Sequence, residues 1–124
     1  MPARVYVCDA KDLGKLEKLM DYDPYLDKGL SEEQLTKMKE DKEANIIFAR
    51  QDYQIKDGIT LGMDKDKCYL YLNANEDFLN EAEPKLLKNI DSAKRADSET
   101  EKQVIDAIEA EISASETGIG SIFG

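Results

Sequence analysis

Residues 45–73, NIIFARQDYQIKDGITLGMDKDKCYLYLN, form the one long segment of this chain with the pattern strand, turn, strand, turn, strand. Its apolar run at residues 46–48 contains β-branched and aromatic side chains, which favour a strand over a helix. Asp57-Gly58 is typical of a hairpin turn, because such a turn needs positive φ angles that Asp-Gly tolerates. Residues 59–63 then alternate between apolar and small or polar side chains, and we expect them to form a second strand.

A third strand is predicted at residues 68–72, after a polar turn at residues 64–67. Its aliphatic side chains alternate with Tyr69 and Tyr71, so one face is aliphatic and the other aromatic. A further short strand, RVYVC, lies at residues 4–8. We therefore predict an α+β fold, with an antiparallel sheet of about four strands made of the N-terminal strand and a three-stranded meander, and with helices packed on one face.

The segments outside the sheet have helical patterns. Ser31 and Gln34 have the spacing of a capping box, which predicts a helix over residues 31–43. Ser98 and Glu101 repeat that spacing and begin a last helix, which we expect to end at about residue 114. Length and pattern predict one α+β domain over residues 1–116 and a glycine-rich apolar tail over residues 117–124.

The charge of the chain limits its partners. The formal net charge is −10, and 35% of the 124 residues are charged. Phosphate backbones and anionic membrane surfaces repel such a protein, so we expect neither nucleic acid nor membrane as a partner. No apolar run approaches the 18 residues of a membrane-spanning helix, and the N-terminus lacks the pattern of a signal peptide. The expected location is therefore cytoplasmic.

The chain contains no histidine and only two cysteines, Cys8 and Cys68. This composition excludes nucleophile–histidine pairs and the usual cysteine and histidine zinc sites, so we do not expect an enzyme. Both cysteines fall in predicted strands, where a small hydrophobic core residue is the usual role. A disulfide between them requires that the two strands are neighbours, and the sequence leaves that open.

The candidate metal site is an acidic helix–loop–helix. If Asp21 is position 1 of a twelve-residue loop, carboxylates fall at positions 1, 3, 7 and 12, namely Asp21, Asp23, Asp27 and Glu32. This spacing, with its flanking helices, is similar to the calcium loop of an EF-hand and implies Ca²⁺ as the ligand. Position 6 is leucine instead of glycine, and a proline lies inside the loop. The alternative is a polar connection before a well-capped helix.

A second acidic pair, Asp64 and Asp66, lies in the turn before the third predicted strand. Two carboxylates two residues apart can hold one cation on a tight turn. The alternative is a solvated turn that closes a hairpin.

The predicted partner surface is the tyrosine face of the sheet, Tyr69 and Tyr71, or the apolar tail with Ile122 and Phe123. Aromatic side chains with polar tips are enriched at protein interfaces. The function we infer from the sequence is a small, acidic, cytoplasmic protein without enzymatic activity, which binds an unknown protein partner or serves as an accessory module. The alternative is a calcium-type cation-binding protein that uses residues 21–32.

Overall fold

The computed structural model describes the backbone of residues 3–123 and the side chains of residues 3–114. Within that range the strands are Ala3–Asp9 (β1), Asp52–Asp57 (β2), Lys67–Asn73 (β3) and Lys94–Arg95 (β4). The α-helices are Leu13–Asp21 (α1), Glu32–Glu40 (α2), Glu76–Asn89 (α3) and Ser98–Phe123 (α4). Single 3₁₀ turns occur at Ala10–Asp12, Pro24–Leu26 and Phe48–Arg50. No helix in the described part of the chain is both long and apolar enough to cross a membrane.

The strands form one antiparallel sheet in the order β2-β3-β1-β4. The prediction of an α+β fold with a four-stranded antiparallel sheet is confirmed. The predicted three-stranded meander does not form, because residues 46–48 and 59–63 are not strands and only β2 and β3 pair within that stretch. The strand β1 pairs with β3 on one side and with β4 on the other. The first strand of the chain therefore lies in the centre of the sheet, and the short strand β4 forms an edge.

The apolar run at residues 46–48 is not a strand. Ile46 and Phe48 are buried in the core that the helices α1 and α3 share with the sheet, and Phe48 begins a 3₁₀ turn. The strand that pairs with β3 at this edge of the sheet is β2, and its Tyr53 and Ile55 pack against the same core. A short apolar run fits any buried segment, so its composition alone did not distinguish strand from turn.

Residues 59–63, predicted as a strand, form a turn instead. The backbone N–H of Met63 donates to the carbonyl oxygen of Gly58 at 2.7 Å, which closes the loop on itself. A side chain at Gly58 would place its Cβ 1.6 Å from the carbonyl oxygen of Asp64, so only glycine fits. Gly62 adopts a φ of 68°, which glycine tolerates without strain. Backbone contacts, which side-chain alternation does not encode, therefore decide this segment.

Helices cover both faces of the sheet, and the prediction of helices on one face is wrong. One face of the sheet, with Tyr6, Cys8 and Leu70, packs against α1 and α3. The opposite face packs against α4 through Val104 and Ile108. The physical reason is that every residue from Cys68 to Leu72 is buried, so both faces of β3 require an apolar cover.

The capping box of α2 is confirmed: the Ser31 hydroxyl accepts from the Gln34 N–H at 3.1 Å, and the Gln34 side chain accepts from the Ser31 N–H at 2.8 Å. The second predicted box does not form. The carboxylate of Asp97 accepts the N–H of Thr100 at 2.7 Å at the start of α4, and Glu101 bonds elsewhere. The helix α4 continues to Phe123 instead of ending near residue 114.

Candidate functional site

The connection between α1 and α2 carries a surface that we call the loop face, made of the side chains of Tyr22, Tyr25 and Leu26. Leu26 is 79% exposed, Tyr22 is 49% exposed and Tyr25 is 37% exposed. Pro24 begins the 3₁₀ turn that presents Tyr25 and Leu26, and Asp23 caps that turn by accepting the N–H of Tyr25 at 2.9 Å. Pro24 of this turn is buried, whereas Tyr25 and Leu26 remain on the surface.

An apolar groove of about 260 Å³ adjoins the loop face and shares Tyr22 with it. The apolar side chains of its wall come from α1, α2, the connection between these helices and the segment before β2: Leu19, Tyr22, Pro24, Leu30, Met38, Ala44, Ile46 and Phe48. The groove and the loop face meet at Tyr22, beside Pro24, which also lines the groove. Apolar patches of this kind, with polar groups around them, mark interaction sites.

One cation lines the groove. The ammonium of Lys85 donates to the carbonyl oxygens of Ile46 at 2.8 Å and Glu43 at 3.1 Å, and it lies 5.9 Å from the centre of the Phe48 ring. Burial lowers the pKa of Lys85 from its ordinary value. Among the described residues no carboxylate forms an ion pair with it. Lys85 therefore joins α3 to the segment before β2.

Carboxylates surround the loop face, and protein donors hold most of them in place. Asp23 accepts the Arg50 guanidinium at 3.0 Å, and that guanidinium lies 4.9 Å above the Tyr25 ring. Asp27 accepts the Gly29 N–H at 2.9 Å and the Tyr22 hydroxyl at 2.8 Å. These two hydrogen bonds lower the pKa of Asp27, the bond from Gly29 contributing most. The loop is therefore ordered and negatively charged around an apolar centre.

Asp21, Asp23 and Asp27 border one shallow pocket at the loop face, but the four predicted calcium ligands do not form a metal site. Asp21 accepts the hydroxyl of Tyr53 at the end of α1, whereas Glu32 is exposed in the first turn of α2. Over the described part of the chain, no group of three or more acidic or cysteine side chains has an arrangement that could hold a metal ion. The calcium interpretation has no support from this geometry and stays a prediction, which a titration would decide.

The second acidic pair, Asp64 and Asp66, forms hydrogen bonds in and beside the turn that contains it. The Asp64 carboxylate accepts the N–H of Asp66 at 2.9 Å, and the carbonyl of Asp66 accepts the N–H of Ala10 at 2.9 Å. Both side chains are exposed. This arrangement corresponds to the alternative interpretation, a solvated turn that closes a hairpin.

The predicted tyrosine surface is wrong. Tyr69 is 4% exposed and Tyr71 is 5% exposed, because α4 packs over them. Burial raises the pKa of both phenols from the ordinary value. Ile122 and Phe123, the other predicted contact residues, have side chains that lie outside the described residues. The tyrosine face is therefore not an exposed surface, and the contact role of the tail stays a prediction.

Sequence reasoning did not single out the loop face, although its signal was present. Tyr22 and Tyr25 were visible as aromatic residues in a polar connection, and Leu26 appeared only as a departure from a calcium loop. A proline-containing turn that carries three large apolar side chains among acids is the pattern that could have indicated it. Comparison of the chain with protein-family models, curated proteins and solved structures found no match.

Proposed function

We propose that this protein is a small cytoplasmic, non-enzymatic protein-binding module and that the loop face is its contact surface. The observation that carries the proposal is the exposure of Leu26, at 79%, beside Tyr22 and an apolar groove. Exposed aromatic and aliphatic side chains that border a preformed groove are typical of the centre of a protein interface. The absence of histidine from the chain supports a role without catalysis.

The charges around the loop face indicate the chemistry of the partner. Asp21, Asp23 and Asp27 border the exposed side chains of Tyr22 and Leu26, and the whole chain has a net charge of −10. A partner segment that combines a large apolar side chain with lysine or arginine residues complements both features. Opposite net charges would also accelerate association, and salt would reduce this effect.

The experiment is a selection of displayed peptides on the full chain. We expect the enriched peptides to combine one or more large apolar residues with a net positive charge. Substitution Leu26→Ser should weaken their binding about tenfold, the effect of losing about 1.4 kcal/mol at an interface residue. Binding should also weaken as sodium chloride is raised.

The matched control is Ile59→Ser, because Ile59 is 74% exposed but lies on the connection between β2 and β3. It removes a similar apolar area from the surface and should leave peptide binding unchanged. Equal losses with Leu26→Ser and Ile59→Ser would indicate general stickiness and would reject the loop face. A selection that enriches no sequence on the wild-type chain would reject the binding function itself.

A further inference from the structure

The two cysteines of the chain face each other across the centre of the sheet. Cys8 of β1 and Cys68 of β3 are directly paired in the antiparallel register. Both are free thiols and both are 0% exposed. They belong to the same buried core as Leu16 and Met20 of α1. Sixty positions of sequence separate them, so the fold alone brings them together.

The backbone hydrogen bonds show which kind of pair the cysteines form. The N–H of Ala10 donates to the carbonyl oxygen of Asp66, and this pair lies two register positions from the cysteines. Hydrogen-bonded and non-hydrogen-bonded pairs alternate along an antiparallel ladder, so pairs two positions apart are of the same type. The carbonyl oxygen of Lys67 accepts the N–H of Gly58, on the side of β2. The backbone groups of successive residues in a strand point to opposite sides, so those of Cys68 point to β1. The cysteines therefore form a hydrogen-bonded pair, for which the Cα atoms are about 5.5 Å apart. That distance lies within the range of about 4.4–6.8 Å that disulfides require.

The thiols also interact with each other. A hydrogen bond between them raises the pKa of Cys8, which burial raises further, and lowers the pKa of Cys68. The Cys68 thiol lies 3.7 Å from the carbonyl oxygen of Asp9, to which it can donate. The negative charges of Asp9 and Asp12 act to raise the pKa of both thiols and so disfavour the thiolate form. In the folded chain both thiols are therefore shielded from solvent.

We propose that Cys8 and Cys68 form a reversible intramolecular disulfide by exchange with a small-molecule disulfide. One cysteine thiolate attacks a sulfur of the small molecule, forms a mixed disulfide and releases one small thiolate, which takes up the proton that the cysteine lost. The second cysteine then loses its proton and attacks the protein sulfur of the mixed disulfide, and the second small thiol leaves. The protein loses two electrons and two protons, and the small-molecule disulfide is reduced to two thiols.

Sheet geometry makes this disulfide easy to reduce. Cβ atoms of directly opposed residues are about 4.5–5.5 Å apart in an antiparallel sheet, whereas a disulfide holds them at about 3.8 Å. The strands β1 and β3 must therefore tighten locally, and strained disulfides are more readily reduced than relaxed ones. After reduction, the register of β1 and β3 keeps the two thiols opposite each other, so the same bond can form again. This inference does not depend on the loop face.

The test is to unfold the full chain in urea and refold it in glutathione buffers of increasing oxidised fraction. Refolding gives the oxidant access to thiols that the native core covers. We expect the intact mass to fall by two hydrogen atoms, with no glutathione adduct. Denatured, oxidised protein should incorporate no alkylating reagent, and a peptide map should show Cys8 cross-linked to Cys68. Dithiothreitol should restore two alkylatable thiols.

The controls are Cys8→Ala and Cys68→Ala, each of which should form only glutathione adducts or intermolecular dimers. Two alkylatable thiols in the oxidised wild-type chain would overturn the proposal, as would adducts or dimers in place of the internal bond. If a variant fails to fold, the peptide map of the wild-type chain still decides the question.

Discussion

At the scale of single residues, Lys85 shows how one polar side chain supports the groove. Its ammonium joins α3 to two carbonyl groups of the segment before β2, and its pKa is lowered by burial. A charged donor in a partly buried site is stabilising only while its acceptors are present. The groove next to the loop face therefore depends on a contact between residues about forty positions apart.

We expect Lys85→Met to lower the free energy of unfolding by about 1–2 kcal/mol, because the carbonyl groups of Glu43 and Ile46 lose their charged donor. Urea unfolding monitored by circular dichroism measures the effect. Lys88→Met is the matched control, since Lys88 makes only an exposed ion pair with Glu43 at 3.5 Å and should cost less than about 0.5 kcal/mol. Equal costs for both variants would show that the carbonyl contacts of Lys85 are not stabilising.

Also at the scale of single residues, the hydrogen bonds of the loop aspartates bear on whether Ca²⁺ binds there. Because Asp23 and Asp27 already accept protein donors, we expect millimolar Ca²⁺ to leave the thermal midpoint where equal ionic strength from sodium chloride leaves it. Thermal unfolding with EDTA, calcium and magnesium measures this. A rise of several degrees with calcium, lost in Asp21→Asn/Glu32→Gln, would instead establish the calcium alternative.

At the scale of elements, Glu101 attaches α4 to the sheet. Its carboxylate accepts the N–H of Val5 in β1 at 3.1 Å and the Arg95 guanidinium of β4 at 2.9 Å and 3.1 Å. Burial raises the pKa of Glu101, but the bonds from Arg95 and Val5 outweigh it, and the net pKa is lowered. One side chain therefore connects β4 and α4, which are neighbours in the chain, to the distant strand β1.

We expect Glu101→Gln to lower the free energy of unfolding at pH 7 by about 1.5–3 kcal/mol, the usual value of hydrogen bonds to charged groups. Because the folded pKa lies below the unfolded one, the carboxylate stabilises the fold above the unfolded pKa, and this contribution is lost as pH falls through the folded pKa. Urea midpoints at several pH values should show wild type and variant converging in acid. A difference that persists unchanged below about pH 3 would show that the lost contact is not electrostatic.

At the scale of the whole molecule, buried residues are distributed unevenly among the elements. The strands β1 and β3 lie at the centre of the sheet and contribute to the cores on both faces. The helix α2 has no buried residue, and it borders the groove through Gln34 and Met38. Binding surfaces are commonly built on the less stable parts of a fold.

We expect the amides of α2 to exchange hydrogen by local opening, with free energies well below the global value of about 5–15 kcal/mol that is usual for a domain. The amides of β1 and β3 should exchange only on global unfolding. Hydrogen exchange read by mass spectrometry measures both segments in one sample. Equal protection of α2 and β3 would contradict this division.

The sequence by itself determined the α+β class, the acidic character and those helix starts that depend on near neighbours. The capping box of Ser31 and Gln34 was predictable because both partners lie within one helical turn. The aliphatic and aromatic faces of β3 were equally readable from the alternation of Leu70 and Tyr71. In each of these cases, residues close in the chain carry the necessary information.

Only the tertiary structure decided which surfaces are covered and which are exposed. Tyr69 and Tyr71 are buried because α4 packs over them from a distant part of the chain, and no local pattern encodes that contact. The strand β4 exists only through its pairing with β1, and Cys8 meets Cys68 only through the register of β1 and β3. The loop face likewise remains exposed because nothing in the described chain packs on Leu26. Burial and strand pairing are properties of the assembled chain, so segments that look alike in sequence can have opposite outcomes.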